Sequence, residues 1–256
     1  MNRPLVIARD VSPTIARCEL THVDRAPIDL GRAQAQHAQL LELLEKLGYE
    51  IDCLPADSEH PDSVFVEDTA VVFDDVAVLT RPGAESRRGE VAGIAAALKP
   101  FRPLARIEAP GTLDGGDVLV TERDVFVGLS TRTNEEGVRQ LAQLVEPAGL
   151  KVHAVRTQGC LHLKSTACRV GERTLLVQPK WVDPACFGEY ELVEVDEEET
   201  FAANAIWTGS AIVHPAEFPR TRARLEAVGI DVRSVPADEL AKAEGAVTCC
   251  ALLVSR

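Results

Sequence analysis

The sequence predicts an α/β fold made of five modules, each with the order strand, strand, helix, strand. Short polar segments are each followed by two apolar strands around a turn, and a helical pattern with a further strand comes next. The polar segments recur at roughly 40–50 residues, a spacing typical of repeat architectures. They are Glu67-Asp68, Gly116-Asp117, His162-Leu163-Lys164, Ala203-Asn204 and Cys249-Cys250.

Four modules are predicted as continuous stretches, from their apolar runs, turn residues and helical periodicity. The first has strands at 70–73 and 76–79, a helix over 88–98 and a strand at 106–108. The second has strands at 118–120 and 125–127, a helix over 134–145 with Thr133 as its N-cap, and a strand at 151–155. The third has strands at 167–170 and 174–177, a short helix over 181–187 and a strand at 190–195. The fourth has strands at 205–207 and 211–213, a helix over 218–228 and a strand at 230–235.

The fifth module is divided between the two ends of the chain. Its first strand is 251–254, and the N-terminal part supplies the strand 5–8, the helix 31–47 and the strand 49–52. Five modules in a closed ring would satisfy their sheet edges better than a row would. We therefore expect residues 1–256 to form one domain, with the polar segments close to its axis. The alternative is an ordinary α/β chain in which the polar segments are a coincidence.

Composition limits the class of protein. The 256 residues include 46% hydrophobic and 26% charged residues, as in an ordinary globular protein. The net charge of −13 argues against nucleic acid or an anionic membrane as the partner. The N-terminal residues predict neither a signal peptide nor a membrane span. Seven cysteines without a C-x-x-C motif favour reduced thiols and a cytoplasmic location.

A cysteine, a histidine and a carboxylate on separate segments are the parts of an activated thiol nucleophile. Cys249 and Cys250 are predicted to begin a strand, where they would face opposite sides and one could be exposed. Taken alone, the two cysteines are better explained by packing than by chemistry, and His162 is better explained by a structural role. The acids of 114–117 would orient the histidine, or would only form a turn.

Acidic residues around an aromatic ring indicate a pocket for a cation. Asp62, Glu67 and Asp68 offer carboxylates for paired hydrogen bonds, and Phe65 offers a ring for stacking. A solvated strand end is the alternative. Arginines such as Arg87 and Arg132 could hold a substrate carboxylate, although surface charge is the usual explanation.

Taken together, these segments resemble the dimethylarginine dimethylaminohydrolases of the amidinotransferase superfamily. The matching stretches follow one another in order over nearly the whole chain: 62–68, 80–88, 107–117, 132–134, 161–164, 202–207 and 248–249. The family fold is a five-bladed α/β propeller, the pentein fold, which agrees with the repeat described above.

The resemblance implies a role for each matching residue. Cys249 would be the nucleophile, His162 the general acid and base, and Asp114 the carboxylate that orients the histidine. Glu67 and Asp68 would bind the guanidinium group.

It also implies how the rest of the substrate is held. Asp62 would help to hold the pocket, and Arg87 and Arg132 would bind the α-carboxylate. Leu20 would lie on a mobile lid. The carbonyl of Ala243 would receive the α-amine, and Glu244, where many relatives carry aspartate, would also contact the substrate.

The implied reaction is hydrolysis of Nω-methylated arginine to citrulline and an amine through a thiouronium on Cys249. It needs no metal or organic cofactor, and the only expected partner is the small substrate. A homodimer would be compatible with the sequence. An arginine deiminase would use the same residues, and an amidinotransferase would pass the amidino group to an amine. From another class, a non-catalytic ring such as the ribosome anti-association factor remains an alternative.

Overall fold

The computed structural model describes residues 3–255, and within them fifteen strands form five sheets of three strands each. In chain order the strands are β1 (Leu5–Arg9), β2 (Glu50–Leu54), β3 (Ala70–Val72), β4 (Ala77–Leu79), β5 (Leu104–Arg106), β6 (Val118–Val120), β7 (Asp124–Leu129), β8 (Lys151–Arg156), β9 (Ala167–Arg169), β10 (Thr174–Val177), β11 (Glu191–Glu194), β12 (Ile206–Trp207), β13 (Ile212–Pro215), β14 (Val232–Val235) and β15 (Leu252–Val254). The predicted α/β class is confirmed.

All five sheets have the same topology. The middle strand pairs antiparallel with the first strand of its module and parallel with the last, as in β3-β4-β5 and β6-β7-β8. A tight turn joins the antiparallel pair, whereas the parallel strand needs a longer crossover. The fifth sheet is β15-β1-β2, with Leu5 opposite Val254, so both ends of the chain complete one module as predicted.

The helices are α1 (Leu30–Lys46), α2 (Val91–Leu98), α3 (Glu135–Val145), α4 (Pro219–Ala227) and α5 (Asp238–Ala241). Two predictions were wrong in detail. The N-cap of α3 is Asn134 rather than Thr133, because the Asn134 side chain accepts a hydrogen bond from the amide of Gly137. The third module has only a 3-10 turn, Pro184–Phe187, which ends at Gly188 with φ of 60°.

Four of the polar segments form 3-10 turns immediately before the first strand of a module. They are Val66–Thr69, Gly115–Asp117, Leu163–Ser165 and Thr248–Cys250. The prediction that Cys249 and Cys250 begin a strand was therefore wrong, because β15 starts two residues later. Because the two cysteines lie in a 3-10 turn, their side chains do not alternate between the two faces of a sheet. Both side chains are buried.

Buried apolar residues of the described chain fall into five clusters, and each cluster combines residues of two sheets. One residue from each of the two sheets illustrates each cluster: Leu252 and Leu79, Val71 and Val127, Leu119 and Leu175, Leu176 and Ile212, and Val213 and Val6. Each module therefore shares one cluster with the module before it and another with the module after it.

Two further findings concern the thiols and the helices. All seven cysteines are free thiols. Within residues 3–255, none of the helices combines the length and apolar character needed to cross a membrane.

The fold predicts that Gly115 tolerates no side chain. A Cβ added there would lie 1.9 Å from the carbonyl oxygen of Glu67, a backbone atom of the neighbouring turn. Gly115→Ala should therefore lower the free energy of unfolding by about 3 kcal/mol, measured by urea denaturation. Gly31→Ala in the first turn of α1 is the control, because its Cβ would meet only Asp29 at 3.4 Å. Equal stability of the two variants would contradict this packing.

Candidate active site

Most of the predicted site residues line one narrow cavity. The walls are formed by Glu19, Asp62, Phe65, Asp68, Arg87, Arg132, Leu161, His162, Ala243, Glu244, Gly245 and Cys249. The free volume is about 10 Å³, which is room for one water molecule. The 3-10 turns carry Asp68, His162 and Cys249 to the cavity from three different modules.

The imidazole of His162 is oriented by a fully buried carboxylate. Its Nε2 lies 3.0 Å from Oδ2 of Asp114. Asp114 is itself fixed, because Oδ1 accepts a 2.9 Å hydrogen bond from the amide of Gly83. The other ring nitrogen, Nδ1, is thus the one left for proton transfer.

A second carboxylate faces the other side of the ring. Oδ1 of Asp68 lies 3.8 Å from Nδ1 of His162 and accepts a 3.0 Å hydrogen bond from the amide of Gly116. This approach requires glycine, because a Cβ at position 116 would lie 2.6 Å from Nδ1 and 2.7 Å from the carboxylate oxygen. The glycines after Asp114 therefore do more than form a turn.

These two carboxylates set the charge of the histidine. Burial alone would lower the pKa of His162, but the charge of Asp68 and the hydrogen bond with Asp114 raise it to about 9. Burial alone would raise the pKa of Asp68, but the positive charges of His162 and Arg87 lower it to about 2. At neutral pH the site therefore holds an imidazolium between two carboxylates.

Asp117 is the acid that does not orient the histidine. Its Oδ1 accepts from the amide of Leu163 at 2.9 Å, and its Oδ2 accepts from the hydroxyl of Ser130 at 2.6 Å. Burial raises the pKa of Asp117 to about 6. It ties the start of the turn that follows His162 to Ser130, the residue after strand β7, a contribution that was not predicted from the sequence.

Cys249 reaches the cavity wall, whereas Cys250 does not. The Sγ of Cys249 accepts a hydrogen bond from the amide of Ala246 at 3.4 Å. Burial raises the pKa of this thiol, and the negative charges of Glu67 and Asp68 raise it further. Without a ligand the thiol is therefore protonated at neutral pH. The Sγ of Cys250 points to the carbonyl of Ala246 and is fully buried.

Arg87 and Arg132 differ in how many of their guanidinium N–H groups already have hydrogen-bond acceptors within the protein. Arg87 is paired with Asp68 at 2.6 Å and with Glu90 at 2.8 Å, and it also donates to backbone carbonyls. Arg132 donates to the hydroxyl of Thr21 at 3.3 Å, while its buried Nη1 has no hydrogen-bond partner. Of the two, Arg132 thus offers a buried donor without a hydrogen bond, although this Nη1 also lies 3.9 Å from Oδ2 of Asp114.

Glu67 lies behind the cavity rather than in its wall. Its carboxylate forms an ion pair with Lys164 and accepts a 2.8 Å hydrogen bond from the hydroxyl of Thr248. Thr248 in turn accepts from the side-chain amide of Asn204 at 2.9 Å. Lys164 and Asn204 belong to the polar segments, and Thr248 belongs to a stretch that matches the family, but none of the three was assigned to the site from the sequence. Their hydrogen bonds fix the turn that carries Cys249.

The remaining predicted residues surround the segment before α1. Asp62 accepts a 3.1 Å hydrogen bond from the amide of Glu19, and it is Glu19 that lines the cavity instead of Leu20. Leu20 packs against the core beside it. Both carboxylate oxygens of Glu244 accept hydrogen bonds from amides of this segment, so they do not point freely into the cavity. Phe65 packs closely on Gly245.

One group of side chains has the composition of a metal site. Oxygen or nitrogen atoms of Asp68, Asp114 and His162 lie within 4.8 Å of one another. These atoms already take part in hydrogen bonds and ion pairs with each other and with Arg87 and Gly116. Metal-free chemistry remains a prediction.

Comparison with known proteins identifies one family. Residues 24–200 match the sequence family described as N,N dimethylarginine dimethylhydrolase, eukaryotic. The N(G),N(G)-dimethylarginine dimethylaminohydrolase of Pseudomonas aeruginosa is 38% identical over 226 residues, covering 88% of this chain and 89% of that protein. The protein of the same name from Streptomyces coelicolor is 40% identical over 246 residues, covering 95% of this chain and 94% of that protein.

A solved structure is similar over the entire fold. It is a cysteine-to-serine variant of the Pseudomonas aeruginosa enzyme complexed with citrulline. Its TM-score is 0.91 at 35% sequence identity, and the match covers 99% of this chain and 100% of that chain. The resemblance inferred from the sequence segments is confirmed, and the chain belongs to the dimethylarginine dimethylaminohydrolase family.

Proposed function

We propose that this protein hydrolyses Nω-methylated arginine to citrulline and methylamine or dimethylamine. The observation that carries the proposal is the shared cavity of Cys249, an oriented His162 and the carboxylate of Asp68, with a free donor of Arg132 in the same wall. The names of the relatives and the citrulline in the similar structure support the same substrate class.

The two ends of the substrate have complementary partners. Asp68 and the acids around it favour a guanidinium cation next to the thiol. The unpartnered Nη1 of Arg132 suits the α-carboxylate at the other end, because a buried donor without a partner is costly unless a ligand satisfies it. Arg87 then acts mainly by holding Asp68 in place, although it also lines the cavity.

Binding the cation also activates the nucleophile. The thiol of Cys249 has a raised pKa because of burial and of the charges of Glu67 and Asp68. A guanidinium bound among these acids offsets that negative charge, which lowers the thiol pKa and favours the thiolate. The nucleophile is thus formed chiefly when substrate is present.

The reaction then proceeds in two steps. The thiolate of Cys249 attacks the central guanidinium carbon, and protonated His162 donates its Nδ1 proton to the departing amine. A thiouronium remains on the sulfur. Neutral His162 next removes a proton from water, which attacks the same carbon, and the C–S bond breaks to release citrulline. Asp114 keeps the ring oriented and stabilises its protonated form in both steps.

We also propose that the five sheets close into a five-bladed α/β propeller. The order of the apolar clusters supports this, since the fifth sheet shares one cluster with the first module and another with the fourth. Closure explains how turns from distant parts of the sequence meet at one cavity.

The function predicts a substrate preference and a dependence on one cysteine. The wild-type protein should form citrulline from Nω,Nω-dimethyl-L-arginine faster than from L-arginine in metal-free buffer, in a colorimetric citrulline assay. Cys249→Ser should reduce turnover by about a thousandfold or more. Cys250→Ser is the matched control and should keep most of the activity, since its thiol does not reach the cavity.

Three other results of the citrulline assay would contradict the proposed function. Preference for L-arginine would make the protein a deiminase that uses the same residues. No citrulline from either substrate would refute hydrolysis and leave amidino transfer or a non-catalytic ring. Equal loss in both cysteine variants, with folding intact, would refute Cys249 as the nucleophile.

The free donor of Arg132 predicts a binding defect that depends on the substrate carboxylate. Arg132→Ala should raise KM by about 10–100-fold in steady-state assays, because a charged hydrogen bond is lost. With an analogue that lacks the α-carboxylate, the variant and the wild type should have similar KM values. Arg139→Ala on the exposed face of α3 is the control. An unchanged KM for the full substrate would refute the role of Arg132.

The pKa order predicts how kcat/KM depends on pH. The reaction needs the Cys249 thiolate and protonated His162, whose pKa is about 9 and lies below the raised pKa of the thiol. Below about pH 9, each increase of one pH unit raises the fraction of Cys249 thiolate about tenfold, so kcat/KM rises with pH. Above about pH 9, the further increase in thiolate is cancelled by deprotonation of the His162 imidazolium, so kcat/KM levels off.

Asp114→Asn tests the assignment of this pH profile to His162. The substitution removes a charge that raises the His162 pKa, so kcat/KM should level off at a lower pH and at a lower value. Initial rates between about pH 6 and 10 measure both effects. If kcat/KM becomes constant at the same pH in the wild type and in Asp114→Asn, the assignment of this pH to His162 is contradicted.

A further inference from the structure

Glu244 occupies an unusual position beside the cavity. It follows α5 in a loop and has a φ of 58°, a left-handed conformation that is uncommon for residues other than glycine. The next residue, Gly245, packs against the ring of Phe65 so closely that a Cβ there would lie 2.1 Å from it. The loop is therefore tightly seated, and the direction of the Glu244 side chain is set by the backbone.

The Glu244 carboxylate binds three consecutive backbone amides. Oε2 accepts from Thr21 at 3.0 Å, and Oε1 accepts from His22 and, at 2.7 Å, from Val23. Successive amides that converge on one carboxylate form an anion-binding concavity of the kind that turns provide. Here the anion is a side chain of the same protein, more than 200 residues away in sequence.

Apart from Glu244, polar contacts of Glu19, Thr21 and Arg25 hold this segment, and the guanidinium of Arg25 donates to the carbonyls of Ala16 and Cys18 at 2.6 and 2.7 Å. At its start, the amide of Glu19 donates to Asp62 and its carboxylate accepts from Ser86. In its middle, the hydroxyl of Thr21 accepts from Arg132. Most side chains from 21 to 27 are exposed, and residues 22–24 and 26 also line a cavity of about 440 Å³ that shares Leu161, Glu244 and Gly245 with the active-site cavity. Apart from Leu20, which packs against the core, apolar side chains therefore contribute little to the position of the segment.

We propose that Glu244 is a positioning residue that keeps the segment 19–25 closed over the active site. The inference rests on the proposed function, because the closed cavity has room for one water molecule and an arginine derivative enters only after the segment moves. When Glu244 releases the amides of 21–23, the segment opens, and when it binds them again, the substrate is enclosed. Glu244 thus acts through this segment, and not by binding substrate as the sequence suggested.

Glu244→Gln tests the proposal, since the amide side chain keeps the size but loses the charge and one acceptor oxygen. Two rates should increase about fivefold or more, which corresponds to the loss of one charged hydrogen bond. They are alkylation of Cys249 by iodoacetamide, followed by mass spectrometry of its peptide, and cleavage by trypsin between Arg25 and Ala26. KM should rise while kcat changes less, and Glu244→Asp should give intermediate values.

A matched control separates closure from general stability. Glu199 also accepts hydrogen bonds from two consecutive amides, those of Arg220 and Thr221, at the start of α4 and far from the segment in sequence. Glu199→Gln should leave both rates within about twofold of the wild type. The proposal is overturned if Glu244→Gln leaves either rate unchanged, or if it increases cleavage equally at sites throughout the chain. Neither measurement requires turnover, so this result is independent of the proposed reaction.

Discussion

The site depends on one electrostatic arrangement, an imidazolium held between two buried carboxylates. His162 is hydrogen-bonded to Asp114 on one side and faces Asp68 on the other. The arrangement requires Gly116, because any side chain there would occupy the space between ring and carboxylate. Burial and Glu67 raise the pKa of the nearby thiol, and so does Asp68, which also helps to keep the histidine protonated. In the absence of a cation, the acid is therefore ready and the nucleophile is not.

The five-module architecture makes this arrangement possible. Four of the 3-10 turns lie just before the first strand of a module, and side chains from these distant segments meet at the cavity. A second set of contacts, from Lys164 through Glu67 to Thr248, links three of these turns behind the cavity. Removing one partner of such a network would leave a buried charge without compensation. The polar segments thus serve the fold and the chemistry together.

Much of this could be predicted from the sequence, because the module repeat depends on local patterns. Apolar periodicity and turn residues identified fourteen of the fifteen strands close to their observed positions, whereas the strand predicted at 106–108 lies at Leu104–Arg106. The joining of both termini followed from the incomplete fifth module. The 3-10 turns were not predicted, since the same polar residues are compatible with a strand start. The roles of Asp117, Lys164 and Glu244 could not be assigned either, because their partners are set by tertiary contacts between residues far apart in the chain.

The central claim is that a bound cation lowers the pKa of the Cys249 thiol. The direct test is ultraviolet absorbance of the thiolate as a function of pH, taken as the difference between wild type and Cys249→Ser. It would be recorded without ligand, with saturating L-lysine as a cation and with saturating L-citrulline as a neutral control. We expect the midpoint to fall with L-lysine and to stay unchanged with L-citrulline. Equal midpoints with both ligands would contradict activation of the thiol by the charge of the substrate.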